Sequence, residues 1–376
     1  MKLLPSILAL TVLLAGLAGR FVVNDPARLA ALPAFAGVYS QISGQVLRRD
    51  PSAPSAWLWA AEAMDWAGRT DAAEYCVEQA VEKGPNIPPV LMTAANYYFS
   101  NGTNAEAMAL TSRILALTSQ YDEAIFSMYR RLGIDLVYSL AGGVPNSDRA
   151  YRSYLVYKLQ YGTPADAQLL WNRLVARGAV DDELANRFIT YLIANRMYDS
   201  AVTAWGDHSR NLAGPYPVEN RLFNGEFEGE LGGSPLNWQI RPAEGAEARR
   251  AAAPEGDGLA LQVTFNGTRN LLYRHVLQFV PLDSGRYRLR ARLRSSGVTT
   301  DKGVYLQVAE AAGGRVLARS AELRGDTDWT AVEQNFVVAP GAQAVVVSLC
   351  RDDSLRIDSK IAGTVWLDDV WVKRVI

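Results

Sequence analysis

Apolar and polar positions along the chain follow two different periods. From about Asp25 to Trp205 the apolar residues recur every three to four positions, the spacing of amphipathic helices. Proline and glycine punctuate this stretch at regular places. In one stretch Pro54 starts a helix, Ala61 is a small residue at a helix crossing, Gly68 makes a turn, Ala73 and Ala80 are small contacts in a second helix, and Pro85 stops it. The next stretch repeats this with Pro88, Leu91, Ala95, Tyr98, Gly102 and Ala107. A third holds Tyr151, Leu155, Gly162, Ala167 and Trp171, and a fourth Ala185, Ile189, Ala201 and Trp205, with Arg196 where the turn glycine would be. Pro26 to Arg48 reads as an unpaired lead-in helix. Tyr121 to Ser147 breaks the rhythm, with a turn-rich loop from Ala141 to Asn146, and reads as a degenerate pair with an altered second helix.

Beyond residue 210 the period becomes two. A linker over 211–219, carrying Pro215, Pro217 and Gly214, ends the helical pattern. Strands are then predicted at Leu259–Phe265, Leu271–Val280, Tyr287–Leu293, Val304–Val308, Trp329–Val338, Ala344–Leu349 and Thr364–Val372. Short alternating strands separated by glycine-rich turns argue for a β-sandwich. The predicted fold class is multidomain α + β: an N-terminal α-helical solenoid over 21–210, and an antiparallel β-sandwich over 220–376.

Gly68 and Gly102, Ala73 and Ala107, and Ala167 and Ala201 are each separated by 34 positions. A helix-turn-helix repeat of that period resembles the tetratricopeptide proteins, over about Pro54 to His208. The resemblance implies that a protein partner is held on the helical repeats, on the concave face of the solenoid. The sandwich segment opens with Asn224-Gly225-Glu226-Phe227-Glu228, has Trp238 some ten residues on, and closes with Val365-Trp366-Leu367-Asp368-Asp369-Val370. That bracket resembles the jelly-roll carbohydrate-binding modules, over Asn220 to Ile376. It implies a galactose-binding-like sandwich, a polysaccharide ligand and core tryptophans at Trp238, Trp329 and one of Trp366 or Trp371.

The resemblance also gives the acidic bracket two readings. In one, Glu226 or Glu228 joins Asp368 or Asp369 and backbone carbonyls around a structural calcium, which takes about six to eight oxygens. In the other, these acids cap turns or pair with basic side chains such as Lys373. The arginines 286, 288, 290, 292 and 294 recur at every second position, alternating with Tyr287, Leu289, Ala291 and Leu293. Period two puts every arginine on the face opposite the core. Such a row repels itself, so it needs acids from adjacent strands or an anionic ligand. Guanidinium suits planar contact with carboxylates such as those of uronic acids. The candidate carbohydrate-binding residues are therefore Arg288, Arg290 and Arg292, with Tyr273 and Tyr305 as exposed stacking platforms.

Composition narrows the partners. Of 376 residues, 49% are hydrophobic and 20% charged, which suits ordinary globular cores, and the net charge of −1 gives no footprint for nucleic acid. Cys76 and Cys350 fall in different domains and read as buried free thiols. The two histidines, His208 and His275, are far apart, and no nucleophile-elbow, phosphate-loop or metalloprotease motif occurs. A non-enzymatic protein is expected. Leu3 to Gly19 is apolar and uncharged after Lys2, so residues 1–20 read as a signal peptide or an uncleaved membrane anchor. Either reading exports the remainder to the periplasm or cell envelope. The expected role is assembly, export or retention of an envelope or extracellular polysaccharide, the alternative being a protein–protein scaffold that binds no sugar.

Overall fold

The computed structural model of the protein describes residues 32–209, 216–256 and 258–375. The apolar segment over 1–20 and most of the expected linker lie outside the described residues. No helix among the described residues is long and apolar enough to cross a membrane. The chain divides between Tyr154 and Leu155 into two compact units.

The helices are α1 (Leu32–Arg49), α2 (Pro54–Trp66), α3 (Thr70–Lys83), α4 (Pro88–Ser100), α5 (Asn104–Leu117), α6 (Asp122–Arg131), α7 (Asp148–Tyr161), α8 (Pro164–Ala176), α9 (Asp182–Ala194) and α10 (Tyr198–His208). Proline stands at the first turn of α2, α4 and α8, where its missing N–H is not needed. Gly68 (φ 70°) and Gly102 (φ 79°) turn the chain between α2 and α3 and between α4 and α5 in the left-handed region. Arg196 holds the same conformation (φ 58°) between α9 and α10. Ala73, Ala80 and Ala107 are wholly buried, as small residues at helix crossings must be. Between α6 and α7 the chain makes only a helical turn over Leu136–Tyr138 that widens into a π-turn over Ser139–Gly143. Its backbone is tied down by Tyr129, whose hydroxyl donates to Gly143 O (2.8 Å).

The second unit contains α8 to α10 together with the sandwich. Its strands are β1 (Gln239–Ile240), β2 (Ala246–Ala252), β3 (Leu259–Asn266), β4 (Tyr273–Pro281), β5 (Gly285–Val298), β6 (Val304–Glu310), β7 (Val316–Arg319), β8 (Gly325–Val338), β9 (Ala344–Arg351) and β10 (Ala362–Arg374). They form two five-stranded antiparallel sheets, ordered β1–β4–β9–β6–β7 and β2–β3–β10–β5–β8. Inward residues of both sheets, among them Leu261, Val263, Leu289, Leu306, Val347 and Val365, make one core with Trp238 and Phe227. The predicted strands are all present. β1, β2 and β7 were not anticipated: two are very short, and β2 reads Ala-Glu-Ala-Arg-Arg-Ala-Ala, which lacks the β-branched residues that mark a strand.

Helix α10 lies against this sandwich. Tyr198 packs on Phe279 of β4 with ring centroids 5.7 Å apart, and Trp205 meets Phe223 edge-on at 5.3 Å. Phe223 is also held by Tyr216 at 5.3 Å and by buried Gln278, which bonds both its N–H and its carbonyl. The entry segment of the sandwich is thus fixed from the helical side and the sheet side at once.

Candidate functional site

The acidic bracket is built by the Asn224-Gly225 turn. Asn224 (φ 49°) and Phe227 (φ 54°) are left-handed, and the Asn224 side chain closes the turn by bonding Gly229 through both its oxygen and its nitrogen. Val370 N donates to Gly225 O, and a Cβ at residue 225 would stand 2.0 Å from Val370 O, so only glycine lets this segment lie on β10. Phe227 thereby enters the core against Trp238, whose indole N–H donates to Asn224 O at 3.1 Å.

The four acids of the bracket differ in their surroundings. Glu228 accepts from Leu259 N at 2.8 Å. Asp369 pairs with Arg292 at 3.2 Å. Glu226 is exposed. Burial lifts the Asp368 carboxyl to about 6, against the hydrogen bond it accepts from Asp369 N, and the charges of Asp369 and Glu228 add to the rise. Among the described residues no group of three or more His, Cys, Asp or Glu side chains is placed to hold a metal ion. The calcium reading asks for only one acid from each end of the bracket together with backbone carbonyls, and Glu228 and Asp369 both lie within electrostatic reach of Asp368.

The two tyrosines expected as exposed platforms are buried. Tyr273 is 1% exposed and sits in the core, edge-on to Phe265 at 5.3 Å. Tyr305 points to the outer face of the β4 sheet, since Val304 and Leu306 on either side face the core. It is nonetheless fully covered by arginines. The Arg319 guanidinium lies 3.5 Å from its ring centroid and that of Arg274 5.5 Å. Its hydroxyl donates to Asp352 (2.7 Å), which also takes Arg274 (2.6 Å) and Arg319 (2.8 Å). Neither Arg274, Arg319 nor Asp352 carried a sequence signal, because they come from three separate strand ends. Arg351 beside them is wholly buried and donates to Leu271 O, Asn270 Oδ1, Lys302 O, Thr300 Oγ1 and Ser359 O. One charged side chain thus ties together three loops at one end of the sandwich.

The outer face of the β5 sheet is where the chemistry gathers. Tyr287, Leu289, Ala291 and Leu293 face the core, and the arginine row faces out. Trp329, Trp366 and Trp371 also face out and are partly exposed, so of the expected core tryptophans only Trp238 is buried. Trp366 lies opposite Arg294 and Trp371 opposite Arg290. The Arg292 guanidinium stands over the Trp329 ring at 4.9 Å, and Lys373 Nζ over the Trp371 ring at 4.4 Å. Flat indole faces beside guanidinium groups can stack on a sugar ring and hydrogen-bond its substituents. By contrast, an open groove of about 600 Å³ lined by Glu322, Arg324, Thr327, Thr330 and Glu333 has no aromatic lining residue.

No family model matches the chain, and no curated protein matches it. Solved structures similar to its C-terminal part include TmCBM61 in complex with β-1,4-galactotriose, at 18% identity over 42% of this chain and 100% of that one, with a TM-score of 0.30. Another is the CBM22-1 xylan-binding domain of Xyn10C from Paenibacillus barcinonensis, at 14% identity over 40% of this chain and 92% of that one, with a TM-score of 0.30. A CBM4 module is similar at 17% identity over 41% of this chain and 99% of that one, also with a TM-score of 0.30.

Proposed function

We propose that this protein is a non-enzymatic, exported polysaccharide-binding protein, whose sandwich holds a glycan and whose helical pairs, read as tetratricopeptide-like repeats, hold a protein partner. The role that follows is to assemble, export or retain an envelope or extracellular polysaccharide. One observation carries the sugar reading. Three partly exposed tryptophans share the outer face of the β5 sheet. A sandwich that needed only a core would turn those rings inward, because burying an aromatic side chain contributes about 1.5–3 kcal/mol. Leaving three of them at the surface on one flat face suits stacking on sugar rings.

Binding of the full chain to a panel of immobilised glycans tests this. At least one polysaccharide is expected to bind, and Trp371→Ala together with Trp366→Ala should weaken it at least tenfold with the melting curve retained. Binding that survives both substitutions would move the site elsewhere. No binding to any glycan would leave the sandwich as a protein-docking module.

A further inference from the structure

The arginine row is not uniform, and its two halves differ in a way that points to a ligand. Arg294 is only partly exposed and is held by both oxygens of Glu255, at 3.0 and 3.1 Å. Arg292 is spent on Asp369 and on the Trp329 ring. At the other end Arg286, Arg288 and Arg290 are exposed. Arg288 bonds Asn335 at 3.0 Å and reaches Glu333 only at 3.8 Å. Among the described residues Arg286 and Arg290 have no side-chain partner. Across β5 from them stand Trp371 and Lys373 on β10, and Glu333, Asn335 and the 58%-exposed Val337 on β8. Among the described residues one carboxylate, that of Glu333, therefore faces four cations, Arg286, Arg288, Arg290 and Lys373.

Alternate residues on a strand are about 6.8 Å apart, inside the Debye length of about 8 Å at physiological salt. The free half of the row therefore repels itself. A row that was merely a solvated face would be interleaved with acids along its whole length, as it is at Arg292 and Arg294. We propose that the unpaired half is a subsite for a carboxylate-bearing glycan of the uronic-acid class, with Arg290 gripping the carboxylate, Trp371 stacking on the ring, and Arg288 and Lys373 flanking. This rests on the sugar reading above and names its substrate class. Guanidinium presents two parallel N–H groups to a carboxylate, which a neutral sugar cannot use. Lys373 rests on the Trp371 ring through a flexible stem, so it can swing from the indole to an incoming carboxylate.

The test compares polygalacturonate with its fully methyl-esterified form, which has the same backbone and no free carboxylate, on the full-length protein. The free acid is expected to bind at least tenfold tighter than the ester, and its binding should weaken as salt rises from 50 to 300 mM, roughly bracketing physiological ionic strength. Arg290→Gln should lose at least tenfold toward the acid. Arg290→Lys, which keeps the charge and loses the fork, should fall between. Arg187→Gln, on helix α9 where the guanidinium pairs with Glu183, serves as the control and should change binding less than threefold. Equal binding of acid and ester would overturn the carboxylate assignment and leave the sugar reading standing. Equal binding of polyphosphate at matched charge would overturn it in favour of a generic polyanion surface. Binding of none of these by a protein that still binds another glycan of the panel would overturn the carboxylate assignment alone, and binding of no glycan at all, with the melting curve intact, would overturn both.

Discussion

Asp352 shows how a single residue on this sandwich is held by its surroundings. Burial by itself opposes the charge, yet donors from Tyr305, Arg274 and Arg319 outweigh it and hold the carboxyl at about 2. A free aspartate titrates near about 3.9. Between those values the unfolded chain binds the proton and the folded chain does not, so stability is lost as pH falls from about 4 toward 2 and is fully present above that window. Asp352→Asn is expected to destabilise the protein at neutral pH by roughly 1 to 3 kcal/mol, since two guanidinium groups lose charge-assisted bonds. The variant should also show a flatter decline in acid. Melting temperatures of both proteins from pH 2 to 7 check this, and parallel acid limbs would show that the charge is not held by these donors. Arg351 makes a second case. Its charge is buried without a carboxylate in contact, and its five acceptors are backbone and side-chain oxygens of three loops. Arg351→Met fills the same space but takes the guanidinium donors from Leu271 O and Ser359 O, at about 1–3 kcal/mol for each one left buried and unsatisfied, while Asn270 Oδ1 and Lys302 O keep Ser354 N and Thr300 Oγ1. Loss of folding, or a large drop in melting temperature, is the expected outcome.

At the scale of the element, what the sequence could and could not reveal turns on local breaks in period. The arginine row and its core partners were legible because β5 is regular from Arg286 to Leu293 and parity decides the face. Tyr273 was misread because β4 contains an irregularity: Tyr273 pairs with Arg351 and Val276 with Leu349, three steps on one strand against two on the other. The extra residue turns Tyr273 into the core beside Val276. The tryptophans of β10 follow the same logic. Trp366 and Trp371 are five positions apart, which in a regular strand puts one in and one out. A bulge between Asp368 and Trp371, with Asp369 at φ 49°, adds a residue and sends both outward. Bulges have no compositional signature here, so no pattern count could have found them. Asp369→Val, whose β-branched side chain resists the left-handed φ, keeps five positions between the two tryptophans while pressing the strand toward regular parity, so it should drive Trp371 toward the core, reduce its quenching by acrylamide and weaken glycan binding. Unchanged quenching would show that the bulge does not set the face. In the helical half the pattern was easier, because small residues must recur wherever helices cross. Ala107 is wholly buried in α5, so Ala107→Leu should overpack it at roughly 1–3 kcal/mol and lower the melting temperature.

At the scale of the whole molecule, the boundary between helices and sheets is not where the chain comes apart into compact units. Helices α8 to α10 belong to the same unit as the sandwich. The reason lies in the aromatic contacts at the junction. Phe223 of the sandwich entry segment is 1% exposed and packs against Trp205 and Tyr216, while Tyr198 covers Phe279 on the outer side of β4. Cutting the chain at 219 would open Phe223 and Phe279 to water and leave Gln278 holding a segment with one side bare. Each large apolar side chain so exposed loses about 1.5–3 kcal/mol of burial. A fragment over 155–376 is therefore expected to melt cooperatively and well above a fragment over 220–376, by several degrees at least, and to bind less of a dye for exposed apolar surface. The outer face of the β5 sheet is built from β5, β8 and β10, none of which touches α10 in a described contact, so glycan binding should be the same in both fragments wherever the shorter one folds. Identical melting of the two would mean that the helical pairs are passengers on the sandwich. A longer fragment that is more stable with unchanged binding would make α8 to α10 a structural brace and place recognition on the sheet alone.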